Sequence, residues 1–302
     1  IEMLDPIVGE LKDFDAVHFT TRQFRKWEDQ LLVVALRFAN VKVVIAEPGS
    51  IENDVVDNVD AYIVPSTLAK QHMESIRPRI PTFVLRPFVD KAQYERYWPI
   101  RQRLHNQNKN RRLNIVYLGR LASVKSPGMF LKVVNIISNA WKRLQAEQGP
   151  QNYHPDVAFR FVGSGPLKKS LQMAISRMNI NVSFYSCLHE DLPSYLSKNV
   201  DIVVHTTLLN ESFGLSNLEA MAAEIPVVTF GVGGTNEYLS LHSGNNQRGV
   251  IVQFASAERM ALSIISLMTN MNLRRNIGIA AREYVFKKKS PYLIASMVKQ
   301  YR

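Results

Sequence analysis

The stretch ESFGLSNLEAMAA, residues 211–223, holds the residues best suited to chemistry. Ser216 is positioned to cap a helix over Asn217–Ala223, and Gly214 permits close backbone approach. The free amides of a helix start attract an anion. Glu211 would precede that helix and Glu219 would lie in its first turn, so both carboxylates could accept from hydroxyls on either side of a phosphate. The alternative is a surface helix with two solvated carboxylates, since acidic side chains favour first turns. Upstream, GRLASVKSPG places Arg120 and Lys125 after Gly119. A guanidinium can take two oxygens and an ammonium adds a point charge, which suits a diphosphate; two solvated loop cations are the alternative. Gly163-Ser-Gly165-Pro-Leu is a tight turn. Lys168 stands where a dinucleotide fingerprint needs its third glycine, which excludes a dehydrogenase reading. The glycines at 231, 233 and 234 suggest a backbone close to a ligand, or a plain flexible loop.

Each of these segments leaves an apolar run that predicts a buried strand. The runs are Asp15–Phe19, Val41–Ile45, Ala61–Val64, Phe83–Leu85, Asn114–Leu118, Ala158–Val162, Val182–Tyr185, Ile202–His205 and Val227–Phe230. Helical spacing falls between them at Met129–Leu144, Leu167–Met178, Leu192–Leu196, Asn217–Ala223 and Ala257–Met268. Strand and helix alternate in two blocks, which argues for two parallel sheets with helices on both faces. The break at Trp98–Arg112 is polar and basic and reads as an exposed linker. Open parallel sheets bind ligands beyond the carboxyl ends of their strands, where all of these segments lie.

The 302 residues suffice for about two domains. One cysteine, Cys187, excludes an intrachain disulfide, suits a reducing compartment, and is expected to be a small buried hydrophobe. No apolar run is long enough to span a bilayer. The chain opens on Ile1 rather than Met, so upstream residues are expected. A net charge of +11 suits phosphorylated ligands, an anionic surface or nucleic acid. No zinc-finger spacing or RNA-binding aromatic pattern accompanies it, so nucleic acid is not expected as a partner. No acidic pair has metal-ligand spacing, and neither a metal nor a cofactor is expected.

Together these segments resemble glycosyltransferase family 4, the large retaining GT-B group. GRLASVK is similar to its GRL-x-x-x-K segment, FVGSGPL to its V-G-x-G-P turn, ESFGLSNLEAMAAEIPVV to its E-x-F-G…E-A-M-A-x-G-x-P-V-V signature, and GVGGTNEYL to its G-G-x-x-E. The resemblance is close over 114–285 and looser before. It implies a GT-B fold: two Rossmann-like domains, the first shortened at its N-terminus. The domains would be a partial acceptor-side domain over 1–105, a donor-binding domain over 106–286 and a helix over 287–302 returning to the first. Arg120 and Lys125 would hold the donor diphosphate and neutralise the leaving nucleotide. Glu211 would bind sugar hydroxyls and complete the catalytic set. Gly119, Gly163, Gly165, Leu188, Phe213, Gly214, Leu215 and Glu219 would bind the donor, with Glu219 on the ribose. The implied activity is metal-independent sugar transfer from a nucleotide sugar to a carbohydrate, lipid-linked or small-molecule acceptor, in a cytoplasmic protein with peripheral membrane contact left open. A degenerate member that binds a nucleotide sugar or a partner without turnover is the rival. Missing family loops motivate it: no glycine-rich loop follows a first strand, and Ala46-Glu47-Pro48 stands where a histidine loop often follows the second strand; with Glu224 for the usual glycine, these departures bear on the acceptor site more than the donor site. His18 in DAVHF resembles a histidine of an earlier family strand, but a packed structural histidine is the expectation.

Overall fold

The computed structural model describes residues 9–10, 13–20, 26–47, 56–106, 111–148, 156–209, 211–239 and 247–287. They form two compact units, the first holding the described residues up to Pro87 with Glu211–Phe213, the second those of Phe88–Asn210 and Gly214–Lys289.

In the first unit β1 (Ala16–Thr20), α1 (Lys26–Phe38), β2 (Val43–Glu47), β3 (Ala61–Val64), α2 (Thr67–Ile76) and β4 (Thr82–Val84) follow in sequence. The strands pair in parallel in the order β1-β2-β3-β4. Leu32, Val33 and Leu36 form the buried stripe of α1, in one core with Val44, Ala46 and Tyr62. Ser66 caps α2 by accepting from the Ala69 amide at 3.1 Å. His18 is exposed rather than buried, and strand alternation buries its neighbour Val17 instead.

The second unit opens with α3 (Lys91–Glu95) and α4 (Trp98–Asn106). Then come β5 (Leu113–Leu118), α5 (Pro127–Gln148), β6 (Val157–Val162), α6 (Lys168–Met178), β7 (Val182–Tyr185), α7 (Leu192–Asn199), β8 (Ile202–His205) and α8 (Leu215–Ala222). It closes with β9 (Val227–Thr229), α9 (Asn236–Leu239), β10 (Val250–Ile251), α10 (Ala257–Thr269) and α11 (Met271–Lys287). The parallel sheet runs β10-β9-β8-β5-β6-β7. The order reverses between β5 and β8, and such a reversal opens a crevice at the carboxyl ends of the two strands. All four residues of β8 are buried, as expected of a central strand covered on both faces. Tyr117, Phe130 and Phe161 anchor the core through tilted and edge-on contacts at 5.1–6.1 Å.

The linker expected over 98–112 is, over Trp98–Asn106, a helix of this unit. Arg101 is buried there, donating to the Val200 carbonyl at 2.6 Å and the Glu224 carbonyl at 3.2 Å. Polar composition suggested exposure, but a guanidinium can be buried where carbonyls take its protons. The second unit accordingly starts at Phe88, ahead of the expected 105/106 boundary. The expected returning helix lies outside the described residues beyond Lys287. No helix among the described residues is long and apolar enough to cross a membrane.

Candidate functional site at the carboxyl edge of the second sheet

The loops after β5 and β6 are zipped together. The Gly119 amide donates to the Val162 carbonyl at 3.0 Å, Leu121 N–H to Ser164 at 2.8 Å, and Leu167 N–H to Leu121 at 2.9 Å. A Cβ on Gly163 would collide with the Gly119 carbonyl, and one on Gly165 with the Leu121 backbone. Glycine is therefore required at both positions by backbone contact. Tyr117 Oη donates to the Arg120 carbonyl at 2.8 Å, fixing the loop while the Arg120 side chain stays exposed. Lys125, half-buried, ends a 3₁₀ turn, and Ser126 follows in a left-handed conformation. Thr206, just past β8, donates to the Ser126 carbonyl at 3.0 Å. That bond joins the two loops flanking the strand-order reversal.

The start of α8 differs from expectation. Gly214, not Ser216, is the N-cap, at φ 87° without a side-chain cap, and the helix begins at Leu215. A side chain at 214 would meet Tyr238 Oη at 2.9 Å. The Gly214 carbonyl accepts from Tyr238 Oη at 3.1 Å and from the Asn217 amide at 3.0 Å. Asn217 Oδ1 and Thr235 Oγ1 are buried without a hydrogen-bond partner among the described residues. Gly231 and Gly233, both at φ 63°, carry the loop after β9 past this point.

Glu219 consequently lies beyond the first turn, where the helix end contributes little to its charge. It is only 7% exposed, which rules out a solvated carboxylate. Burial pushes its carboxyl up to about 7. His189 Nδ1 stands 3.5 Å from Oε1 on a side chain that is 80% exposed. A cleft of about 130 Å3 opens here between Glu219, Leu215, His189, Tyr94, Gln93 and Phe88. Burial, then the Glu219 charge, raises the Tyr94 phenol. Leu188 is exposed just before the turn that carries His189. Cys187 is half-buried rather than fully buried, and burial raises its thiol.

The structure thus gathers Gly119, Gly163 and Gly165 in one pair of loops, and Gly214, Leu215 and Glu219 along α8. Glu211 and Phe213 fall with the first unit. Sequence reasoning missed Tyr94 and His189. Tyr94 sat near a stretch read as linker, and His189 lacks a motif of its own. Thr206, which sets the loops, carries no motif either, and Tyr238 lies in the GVGGTNEYL segment but outside its G-G-x-x-E positions.

A family model described as Glycosyl transferases group 1 matches residues 100–284. An uncharacterized glycosyltransferase of Methanocaldococcus jannaschii, MJ1069, is 23% identical over 96% of this chain and 74% of its own length. The poly(ribitol-phosphate) alpha-N-acetylglucosaminyltransferase of Staphylococcus aureus is 27% identical over 44% of this chain, and the match spans only 26% of that protein. Among solved structures, Anabaena HepE in complex with UDP and glucose superposes with a TM-score of 0.74 at 18% identity, covering 99% of this chain and 82% of that one.

Proposed function

The chain belongs to the glycosyl transferases group 1 family, and from that premise we propose that it moves a sugar from a nucleotide-activated donor to an acceptor hydroxyl with retention at the anomeric carbon. Arg120 and Lys125 are assigned to the diphosphate, the leading amides of α8 to the sugar-phosphate, Glu219 to the ribose and Glu211 to the sugar hydroxyls. The observation that carries the reading is Glu219, a buried carboxyl beside a cleft at the carboxyl edge of the sheet. Burying such a group is costly unless donors satisfy it. A pair of ribose hydroxyls supplies two. The similarity to proteins whose names carry UDP, glucose and N-acetylglucosamine makes UDP-glucose and UDP-N-acetylglucosamine the first donors to try.

Calorimetry tests the assignment. Arg120→Ala removes a charge-assisted contact of roughly 1.5–3 kcal/mol, so donor affinity is expected to fall about ten- to a hundredfold. Unchanged affinity in a folded Arg120→Ala protein would reject the diphosphate clamp. Donor binding with neither transfer nor hydrolysis would reject the enzyme and leave a nucleotide-sugar binding module.

A further inference from the structure

A second cleft, of about 410 Å3, lies at the opposite end of α8. One wall is Glu224, in the turn between α8 and β9, and another is α4, whose Arg101 reaches Val200 just before β8. This is the amino edge of the sheet, whereas the Glu219 cleft is at the carboxyl edge. Along α8 and the turn after it, Glu219 of the first cleft and Glu224 of the second are five residues apart, a helical rise of about 7.5 Å. α3 lines both, turning Gln93 and Tyr94 to the first and Lys91 and Glu95 to the second.

The volume falls in the range of small-molecule pockets, about 300–1,000 Å3. Its walls carry balanced charge: Glu95, Glu224 and Glu283 against Lys91, Arg282 and Lys287. Lys91 pairs with Glu95 at 3.0 Å and Lys287 with Glu283 at 2.8 Å. Glu224 accepts from Trp98 Nε1 at 2.8 Å and from Gln102 Nε2 at 3.0 Å. The Arg282 guanidinium lies over the Trp98 and Phe286 rings, at 5.5 and 4.7 Å. An anion or a cation would find its counter-charge already engaged. What the cleft offers is Trp98, a residue left 44% exposed, an aromatic and aliphatic floor, and a rim with both donors and acceptors. A neutral polyhydroxylated ring has the matching chemistry, with C–H groups for the exposed part of Trp98 and hydroxyls that donate and accept.

We propose that this cleft is a binding site for a neutral saccharide, separate from the donor site. The proposal goes beyond the transfer reading and does not depend on it, because binding here is measured without a donor. Saturation-transfer NMR with maltotriose, cellotriose and triacetylchitotriose supplies the probes. At least one is expected to show saturable transfer. Glu283→Arg, an exposed charge reversal on the rim, is expected to weaken that binding about tenfold, and Trp98→Ala to abolish it. Glu283→Arg decides the matter if Trp98→Ala does not fold, since Trp98 also supports Glu224. Arg120→Ala and Glu219→Gln are expected to bind the saccharide as the wild type does. No saturable transfer from any of the three sugars, an unchanged signal in Glu283→Arg, or its loss in Glu219→Gln would each overturn the proposal.

Discussion

Glu219 makes the proposed donor site sensitive to pH. Its carboxyl rises from 4.5 to about 7 because burial penalises the charged form. The folded chain therefore binds more protons than the unfolded one between these values, and this group's contribution to stability falls as pH rises through that window. That is the reverse of an ion-paired carboxylate. Hydroxyls donated by a ribose favour the ionised form, so nucleotide binding should draw the proton off. Affinity is expected to be level above pH 7 and to fall about tenfold per unit below it, while Glu219→Gln binds more weakly with no such slope. Calorimetry across neutral pH with UDP-glucose, whose diphosphate does not titrate there, repeated with His189→Ala to separate the exposed neighbour, checks this. An affinity equally independent of pH in wild type and Glu219→Gln would remove Glu219 from the nucleotide site.

The loops and helix ends set a second group of expectations. Gly163→Ala must displace the Gly119 backbone, so it is expected to destabilise the chain by about 1–3 kcal/mol. Gly128, in the first turn of α5 with open space around it, is the control: Gly128→Ala should be neutral or stabilise by roughly 0.4–1 kcal/mol. Urea midpoints distinguish the two. Glu224 sits at φ 61°, a left-handed conformation unfavourable to a side chain, and its carboxylate offsets this by accepting from Trp98 and Gln102. Glu224→Ala keeps the strain and loses the bonds, whereas Glu224→Gly loses both. The alanine variant should therefore be less stable than the glycine variant by about 1 kcal/mol, and equal midpoints would deny the strain. Nine strands were legible because each is a continuous apolar run, and their ends lay within two residues of expectation. β10 escaped because two half-buried residues make no pattern. Gly214 rather than Ser216 starts α8 because Tyr238, from a later helix, fixes the Gly214 carbonyl, and no local rule contains that contact. The burial of Arg101 and the company of Tyr94 and His189 with Glu219 were hidden for the same reason: they join residues distant in sequence.

At the scale of the molecule, each unit has its own sheet and its own buried core. The second also holds Gly119, Gly163, Gly165, Lys125 and Glu219. Residues 88–287 expressed alone are expected to unfold cooperatively and still bind UDP. Thermal melts and calorimetry with UDP and UDP-glucose test this; a non-cooperative melt would show that the core is not self-sufficient. The zipped loops after β5 and β6 have a bearing on how such a protein can diversify. Where Gly163 and Gly165 press on Gly119 and Leu121, the chain admits no side chain, so substitution there cannot tune what is recognised. In the proposed donor site such a surface would face the part of a ligand that stays constant across donors, the phosphates and their linkage. Discrimination between one base or sugar and another is left to positions free to vary, Leu188, His189 and Gln93 among them. In the proposed donor site, a change of substrate could then arise at those positions while the backbone contacts between the two loops stay as they are.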